Sequence, residues 1–293
     1  MKNLNIFKAA LVFISMLFFA NGAFAQSACT TTSGASSGEE CLLDVKSFKL
    51  KVYEFALCTG FATVADRSMC TTLYNNSDGY DLTLSKDASL PLGGDATLSE
   101  GTYTHAYIVV HNNTYLKSVH EFSSNREDLA GNTGKFCYSN GTVRTEDASF
   151  NLTNVVVTCG NSDLSAENKE TIKFDDGSGN YSNSDIADPL GGGATSIGYT
   201  KLYTLKTILP AAAGTSWATD SGILASQKIT DVTINPNTSG INIAFTVTNG
   251  ISLNFLAGGS NMEGGSESCG AAGGSYCVVD VGWLGMNFLV TAN

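Results

Sequence analysis

Eight cysteines, an even number, are the strongest constraint on how this 293-residue chain can fold. By spacing they fall into four local couples: Cys29 with Cys41, Cys58 with Cys70, Cys137 with Cys159, and Cys269 with Cys277. Each couple would close a short loop, which constrains the unfolded chain by about 2–4 kcal/mol. The sequence contains no C-x-x-C motif that would indicate a zinc ribbon or a redox site. Spacing therefore predicts a disulfide-stapled fold, although many other pairings stay open.

Residues 1–25 have the pattern of a cleavable secretory signal peptide. Lys2 and Lys8 give a positive start, residues 9–20 form an apolar core, and Ala23 and Ala25 frame a small-residue cleavage site. A transmembrane helix would need about 20 apolar residues, which is longer than this core. We therefore expect a secreted protein, extracellular or on the outer cell surface, with the periplasm as an alternative. Disulfides suit such an oxidising destination.

Composition and patterning predict an all-β fold. The chain has 31 glycines and 4 prolines, few segments show helical periodicity, and residues 48–57 alternate apolar and polar side chains as a half-buried strand does. We expect one or two consecutive β-sandwich units, immunoglobulin-like or transthyretin-like. The predicted division is a flexible segment at 26–44, a sandwich at 45–160, a loop or linker at 161–195 and a second sandwich at 196–293. A single larger sandwich is the alternative. The net charge of −11 disfavours nucleic-acid and anionic-lipid partners.

The clearest local pattern is at residues 241–257, where Asn249 and Gly250 separate two alternating strands. A three-residue loop would pair Val247 with Ile251 and place both apolar rows on one face, because a slip of one residue reverses every side chain. The pattern therefore predicts a hairpin with Gly250 in a left-handed bulge.

No catalytic constellation is evident, which predicts a protein that is not an enzyme. His105 and His111 share a strand face, but six strand residues separate them by about 20 Å. The serine of the G-x-S-x-G match at 34–38 is not preceded by a strand, as a nucleophile elbow requires. No cofactor is expected.

Two weaker binding sites can be named. Asp175, Asp176 and Asp185 offer oxygen ligands for a Ca²⁺ ion, although the run departs from the EF-hand pattern and a plain loop is the alternative. Tyr103 and Tyr107 share one face of an alternating strand and could form an exposed aromatic platform for sugars. Half-buried sheet packing is the competing interpretation.

The segment 52–58 (VYEFALC) with Cys70 downstream, followed by residues 101–105 (GTYTH), resembles a group of uncharacterised secreted β-sandwich proteins from marine bacteria. The similarity covers residues 48–159. It implies export and a β-sandwich, and it assigns no functional site.

These features favour an exported, non-enzymatic structural or adhesive protein of the cell surface, with a pilus-like filament subunit as one form. Its partners would be further copies of itself, or a surface glycan or protein. Filament subunits often complete a neighbour's sheet by strand addition. The C-terminal residues 278–290 are the predicted exchange strand, since residues 26–40 lack alternation. A carbohydrate- or ligand-binding module is the first alternative, and a secreted hydrolase is the second.

Overall fold

The computed structural model describes residues 2–5, 27–34, 40–84, 95–145, 153–171, 197, 200–205, 222–247, 249–258, 269–270, 276–283 and 287–293. In these residues every regular element is a β-strand, which confirms the all-β prediction. The strands, in chain order, are β1 (Lys2–Asn5), β2 (Cys41–Leu43), β3 (Ser47–Cys58), β4 (Cys70–Leu84), β5 (Asp95–Leu98), β6 (Gly101–His111), β7 (Asn113–Lys117), β8 (Val119–Asp128), β9 (Thr133–Ser139), β10 (Val157–Gly160), β11 (Asn168–Thr171), β12 (Thr200–Leu205), β13 (Gly222–Ile234), β14 (Ile241–Thr246), β15 (Ile251–Ala257), β16 (Tyr276–Trp283) and β17 (Asn287–Ala292).

Six strands form the first sheet, in the order β10-β9-β8-β16-β15-β2. Its neighbours are antiparallel except for β16 and β8, which are parallel. Beyond β2, Ala28 forms a parallel bridge with Leu42. The Cys29 N–H donates to the Leu42 carbonyl at 2.8 Å, and the Leu42 N–H donates to the Ser27 carbonyl at 2.9 Å. Residues 27–29 therefore extend this sheet by one short strand.

The second sheet contains seven strands arranged around β3. Strand β4 pairs with one edge of β3, and β6 and β7 pair with the other. Strand β13 pairs with β6, β12 pairs with β13, and β11 pairs with β7. Two smaller ladders join β14 to β17 and β1 to β5. The structure includes β1, which belongs to the predicted signal peptide. It therefore does not test whether residues 1–25 are cleaved, and this cleavage stays a prediction.

Both large sheets contain strands from both halves of the chain. Strand β13 pairs with β6, β16 with β8, and β15 with β2. One hydrophobic core contains side chains of both halves, and the rings of Phe55 and Phe245 meet there edge to face at 6.2 Å. The regions predicted as separate units, 45–160 and 196–293, therefore both contribute strands to the two large sheets and side chains to this core. The division of the chain into one or two domains stays a prediction.

The predicted hairpin at Asn249 and Gly250 is wrong. Strand β14 pairs with β17, whereas β15 pairs with β16 and β2. Strand β14 ends at Thr246 in the ladder with β17, whereas β15 begins at Ile251 in the first sheet. The residue with positive φ is Asn249, at 52°, and its N–H donates to the Asp44 carboxylate at 3.0 Å. Val247 and Ile251 are nevertheless both buried, because strands on opposite sheets can face the same core.

All four predicted cysteine couples form disulfides. Cys58 and Cys70 are opposite each other on β3 and β4, with their Cα atoms 4.0 Å apart. Cys137 and Cys159 are opposite each other on β9 and β10, with Cα atoms 4.1 Å apart. Four disulfides fit an extracellular or periplasmic location. Within the described ranges, no helix is long and apolar enough to cross a membrane.

Candidate functional site

Tyr103 and Tyr107 do not form an exposed platform. Their side chains are 5% and 1% exposed, and they lie on opposite faces of the second sheet. Tyr103 belongs to the main core with Ala106, whereas Tyr107 belongs to a smaller cluster on the outer face. Simple alternation would place residues 103 and 106 on opposite faces. The strand is irregular here, and the facing strand β13 shifts register between Lys228 and Val232. The predicted aromatic row is therefore wrong.

The other predicted sites are distributed differently. Asp175, Asp176 and Asp185 lie outside the described residues, and so does Ser36 of the G-x-S-x-G match. Among the residues that the structure does describe, no group of three or more His, Cys, Asp or Glu side chains could hold a metal ion. The Ca²⁺ site stays a prediction.

The three histidines occupy three separate environments. His105 packs against Phe61, with ring centroids 4.2 Å apart. His111 Nδ1 accepts a hydrogen bond from the Asn113 N–H at 2.9 Å. His120 Nε2 donates to the Thr30 carbonyl at 2.9 Å. Burial lowers the pKa of His105 and of His120, and the Lys228 ammonium lowers the pKa of His105 further.

A polar cluster on the outer face of the second sheet centres on Glu54 of β3. Arg67 Nη1 donates to Glu54 Oε2 at 2.9 Å, and the Tyr107 hydroxyl donates to Oε1. Burial and the hydrogen bond to Glu54 raise the pKa of Tyr107. Arg67 belongs to the loop at 59–69, and this loop is also held by a 2.9 Å hydrogen bond from the Ala62 N–H to Ser226 Oγ. The cluster fixes this loop against the sheet.

A second ionic cluster joins three distant segments through Arg144. Its guanidinium binds the Asp280 carboxylate of β16 and lies 3.7 Å from Glu170 Oε1 of β11. The side chains of Arg144 and Asp280 are only 14% and 11% exposed. The Glu170 and Asp280 carboxylates both contact the Arg144 guanidinium. This arrangement stabilises the contact between the three segments.

The most extensive site built from polar contacts holds residues 27–34, which we call the N-terminal segment. The carbonyl oxygens of residues 30–33 all accept hydrogen bonds from β8. His120 Nε2 donates to the first oxygen at 2.9 Å, and the N–H and hydroxyl of Ser123 donate to the second at 2.8 and 3.0 Å. Arg126 Nη2 donates to the third and fourth at 3.4 and 3.2 Å. We call these three side chains, together with Leu42 of β2, the docking surface.

Aromatic contacts complete the docking surface. The Arg126 guanidinium lies 4.8 Å from the centroid of the Phe122 ring, and Phe122 packs edge to face on Phe255 at 6.3 Å. Arg126 is 8% exposed, and burial lowers its pKa. Gly34 ends the segment directly on Phe255. Its φ of +69° favours glycine, and a Cβ atom at Gly34 would come within 2.3 Å of the Phe255 ring.

Sequence reasoning missed this site because residues 26–40 lack alternation. The segment is bound through its main-chain carbonyls and not through a row of apolar side chains. Every residue type has such a carbonyl, so the side-chain pattern of the segment does not reveal the contact. One signal was available, since the Cys29–Cys41 couple ties the segment to β2. The donors come from β8, about 90 residues further along the chain.

The comparisons with known proteins add no family. No protein-family model matches the sequence, and no curated protein or solved structure matches it either.

Proposed function

We propose that this protein is an exported, non-enzymatic structural or adhesive component of the cell surface that assembles with further copies of itself. The observation that carries the proposal is the N-terminal segment, which is added to the edge of the first sheet and held through its main chain. Recognition of a chain through main-chain hydrogen bonds at a sheet edge is the usual chemistry of strand addition. Filaments joined by strand addition are the form of assembly that this site favours.

The cross-links support an extracellular structural role. Two disulfides join directly opposed strands, and a third ties the N-terminal segment to β2. A disulfide raises the free energy of unfolding chiefly by constraining the unfolded chain. Such a scaffold suits a protein that must persist outside the cell.

The alternatives have weaker support. A sugar-binding platform on Tyr103 and Tyr107 is removed by the burial of both rings. A hydrolase would need two carboxylates that converge on a substrate, whereas Glu170 and Asp280 converge on Arg144. Residues 278–290, the predicted exchange strand, are paired within the chain through β16 and β17.

The test is the assembly state of the mature chain, residues 26–293, purified from an oxidising compartment. We expect ordered oligomers or filaments in negative-stain electron microscopy, and a mass above that of one chain in light scattering. Gly34→Ala should reduce assembly, because its Cβ would collide with Phe255. Gly131→Ala is the matched control, since Gly131 has a similar φ of +80° but no atom within 4 Å of its Cβ position. Monodisperse monomers at all concentrations and ionic strengths would refute the proposal.

A further inference from the structure

We propose that the N-terminal segment of one copy occupies the docking surface of the next copy, and that Cys29 of the first then forms its disulfide with Cys41 of the second. The partner is a second copy of this chain, and the assembly becomes covalently linked. This inference rests on the proposed function, because it specifies how the self-assembling copies are joined.

The first argument is that most contacts of the segment are with strands distant in sequence. Its carbonyls contact β8 and Gly34 packs on Phe255, while its short strand pairs with the nearby Leu42. Each of these contacts could be made equally well by the same segment of another copy. Exchange of an identical element between copies is a low-cost route to oligomers, because it requires no new complementary surface.

The second argument concerns the connection. Only residues 35–39 separate the segment from Glu40, which directly precedes β2. Short hinge loops invite the exchange of an element between copies, so a connection of this length suits exchange. Repeated exchange in one direction would give an open chain of subunits rather than a closed dimer.

The third argument is the placement of the disulfide. Cys29 lies within the exchanged segment, whereas Cys41 lies in β2 at the receiving edge. The Cys29–Cys41 disulfide forms by exchange with the disulfide of an oxidising partner. The two cysteine thiols lose two protons and two electrons, and the partner's disulfide takes them up and becomes a dithiol. The same chemistry between two copies would fix a docked segment permanently.

The Cys58–Cys70 bond is an internal control for this arrangement. It has the same sequence separation of 12 residues as Cys29–Cys41. It joins β3 to β4, which are adjacent in sequence and paired along their length. This bond should therefore form within one copy in every state of assembly.

Isotope mixing tests the proposal. Equal amounts of ¹⁴N and ¹⁵N protein are reduced, unfolded in urea, mixed and refolded in a glutathione redox buffer. The assembled fraction is then digested without reduction. Cleavage after Glu40 separates Cys29 from Cys41, and cleavage after Arg67 separates Cys58 from Cys70. We expect about half of the cross-linked Cys29–Cys41 peptides to be ¹⁴N/¹⁵N hybrids, the statistical share for exchange between copies, and the Cys58–Cys70 peptides to stay unmixed.

The outcomes separate the two proposals. Assemblies whose Cys29–Cys41 peptides are unmixed would overturn segment exchange and leave self-assembly standing. The absence of assemblies would overturn both.

Co-export of Cys29→Ser and Cys41→Ser chains tests the exchange without refolding. Exchange predicts a disulfide-linked dimer on non-reducing gels, because each chain supplies the cysteine that the other lacks. The matched pair, Cys58→Ser with Cys70→Ser, should give no such dimer. A dimer from the second pair alone, or from neither pair, would overturn the proposal.

Discussion

Asp128 is a fully buried acidic residue whose removal should have a large effect on stability. Its side chain is fully buried at the end of β8. Oδ1 accepts the N–H groups of Ala130 and Asn132 at 2.9 and 3.0 Å, and Oδ2 accepts the Cys159 N–H of β10 at 2.9 Å. One carboxylate therefore holds the turn after β8 and also joins that turn to the neighbouring pair of strands.

Asp128→Ala removes the acceptor for all three N–H groups. The Cys159 N–H is buried, so leaving it without an acceptor costs about 1–3 kcal/mol. The two turn N–H groups are partly exposed and can bind water, so each should cost about 1 kcal/mol. We expect the free energy of unfolding to fall by about 3–5 kcal/mol, a large part of the roughly 5–15 kcal/mol typical of a folded domain.

Urea denaturation under oxidising conditions, followed by tryptophan fluorescence, measures this loss. Asp163→Ala is the control, because Asp163 makes its ion pair with Lys46 at the surface. The control should change the free energy of unfolding by less than about 1 kcal/mol. If Asp128→Ala lay within about 1 kcal/mol of the parent protein, the assignment of these buried hydrogen bonds would be refuted.

Two further predictions concern ion pairs. The hydrogen bond from Lys46, together with those from Ser165, lowers the pKa of Asp163 from 3.8 to about 2. The charged carboxylate therefore stabilises the fold above pH 4, and this small contribution is lost as the pH falls towards 2. Lys46→Ala should raise the pKa of Asp163 in an NMR titration, and an unchanged pKa would contradict the assignment. Arg144→Met leaves the Asp280 carboxylate buried without its cation and should lower the free energy of unfolding by about 3–5 kcal/mol. The exposed control, Lys49→Met, should change it by less than about 1 kcal/mol.

The sequence predicts which side chains of a strand are buried better than it predicts the strand's partner. In β3, Phe48, Leu50 and Val52 are buried as the alternation predicts. In residues 241–257 the apolar rows are also buried, apart from the partly buried Phe255, but the two strands pair with β17 and β16 instead of with each other. Alternation specifies a face and not a neighbour, so a hairpin and a crossing between two sheets have the same pattern.

The sites differ in predictability for the same reason. The disulfides were predictable because each couple is close in sequence and joins elements that are local in the fold. The exposure of Tyr107 was not, because an irregularity in β6 and the loop at 59–69 determine what covers that face. The docking surface was also not predictable, since its donors lie on β8 and its acceptors are main-chain oxygens of the N-terminal segment.

The disulfides join residues that are close in sequence, whereas the sheets also pair strands that are far apart in sequence. Every disulfide lies within one half of the chain, either before residue 160 or after residue 268. The halves are joined by strand pairing, above all between β6 and β13, and by a shared core. We therefore expect a protease site inserted after Gly177 to leave the cleaved fragments associated through non-covalent contacts alone.

After cleavage, the two fragments should elute together in size-exclusion chromatography without denaturant, and they should separate in urea even when no reductant is present. Two independent units would behave differently, because fragments that share no sheet would elute separately in buffer. Uncleaved protein carrying the same insertion is the control for damage caused by the insertion itself. Fragments that separated in buffer would contradict the β6–β13 pairing, and fragments that stayed joined in urea until reduced would contradict the disulfide assignment. In the structure, backbone pairing between distant strands joins the two halves, whereas each of the four disulfides joins residues of the same half.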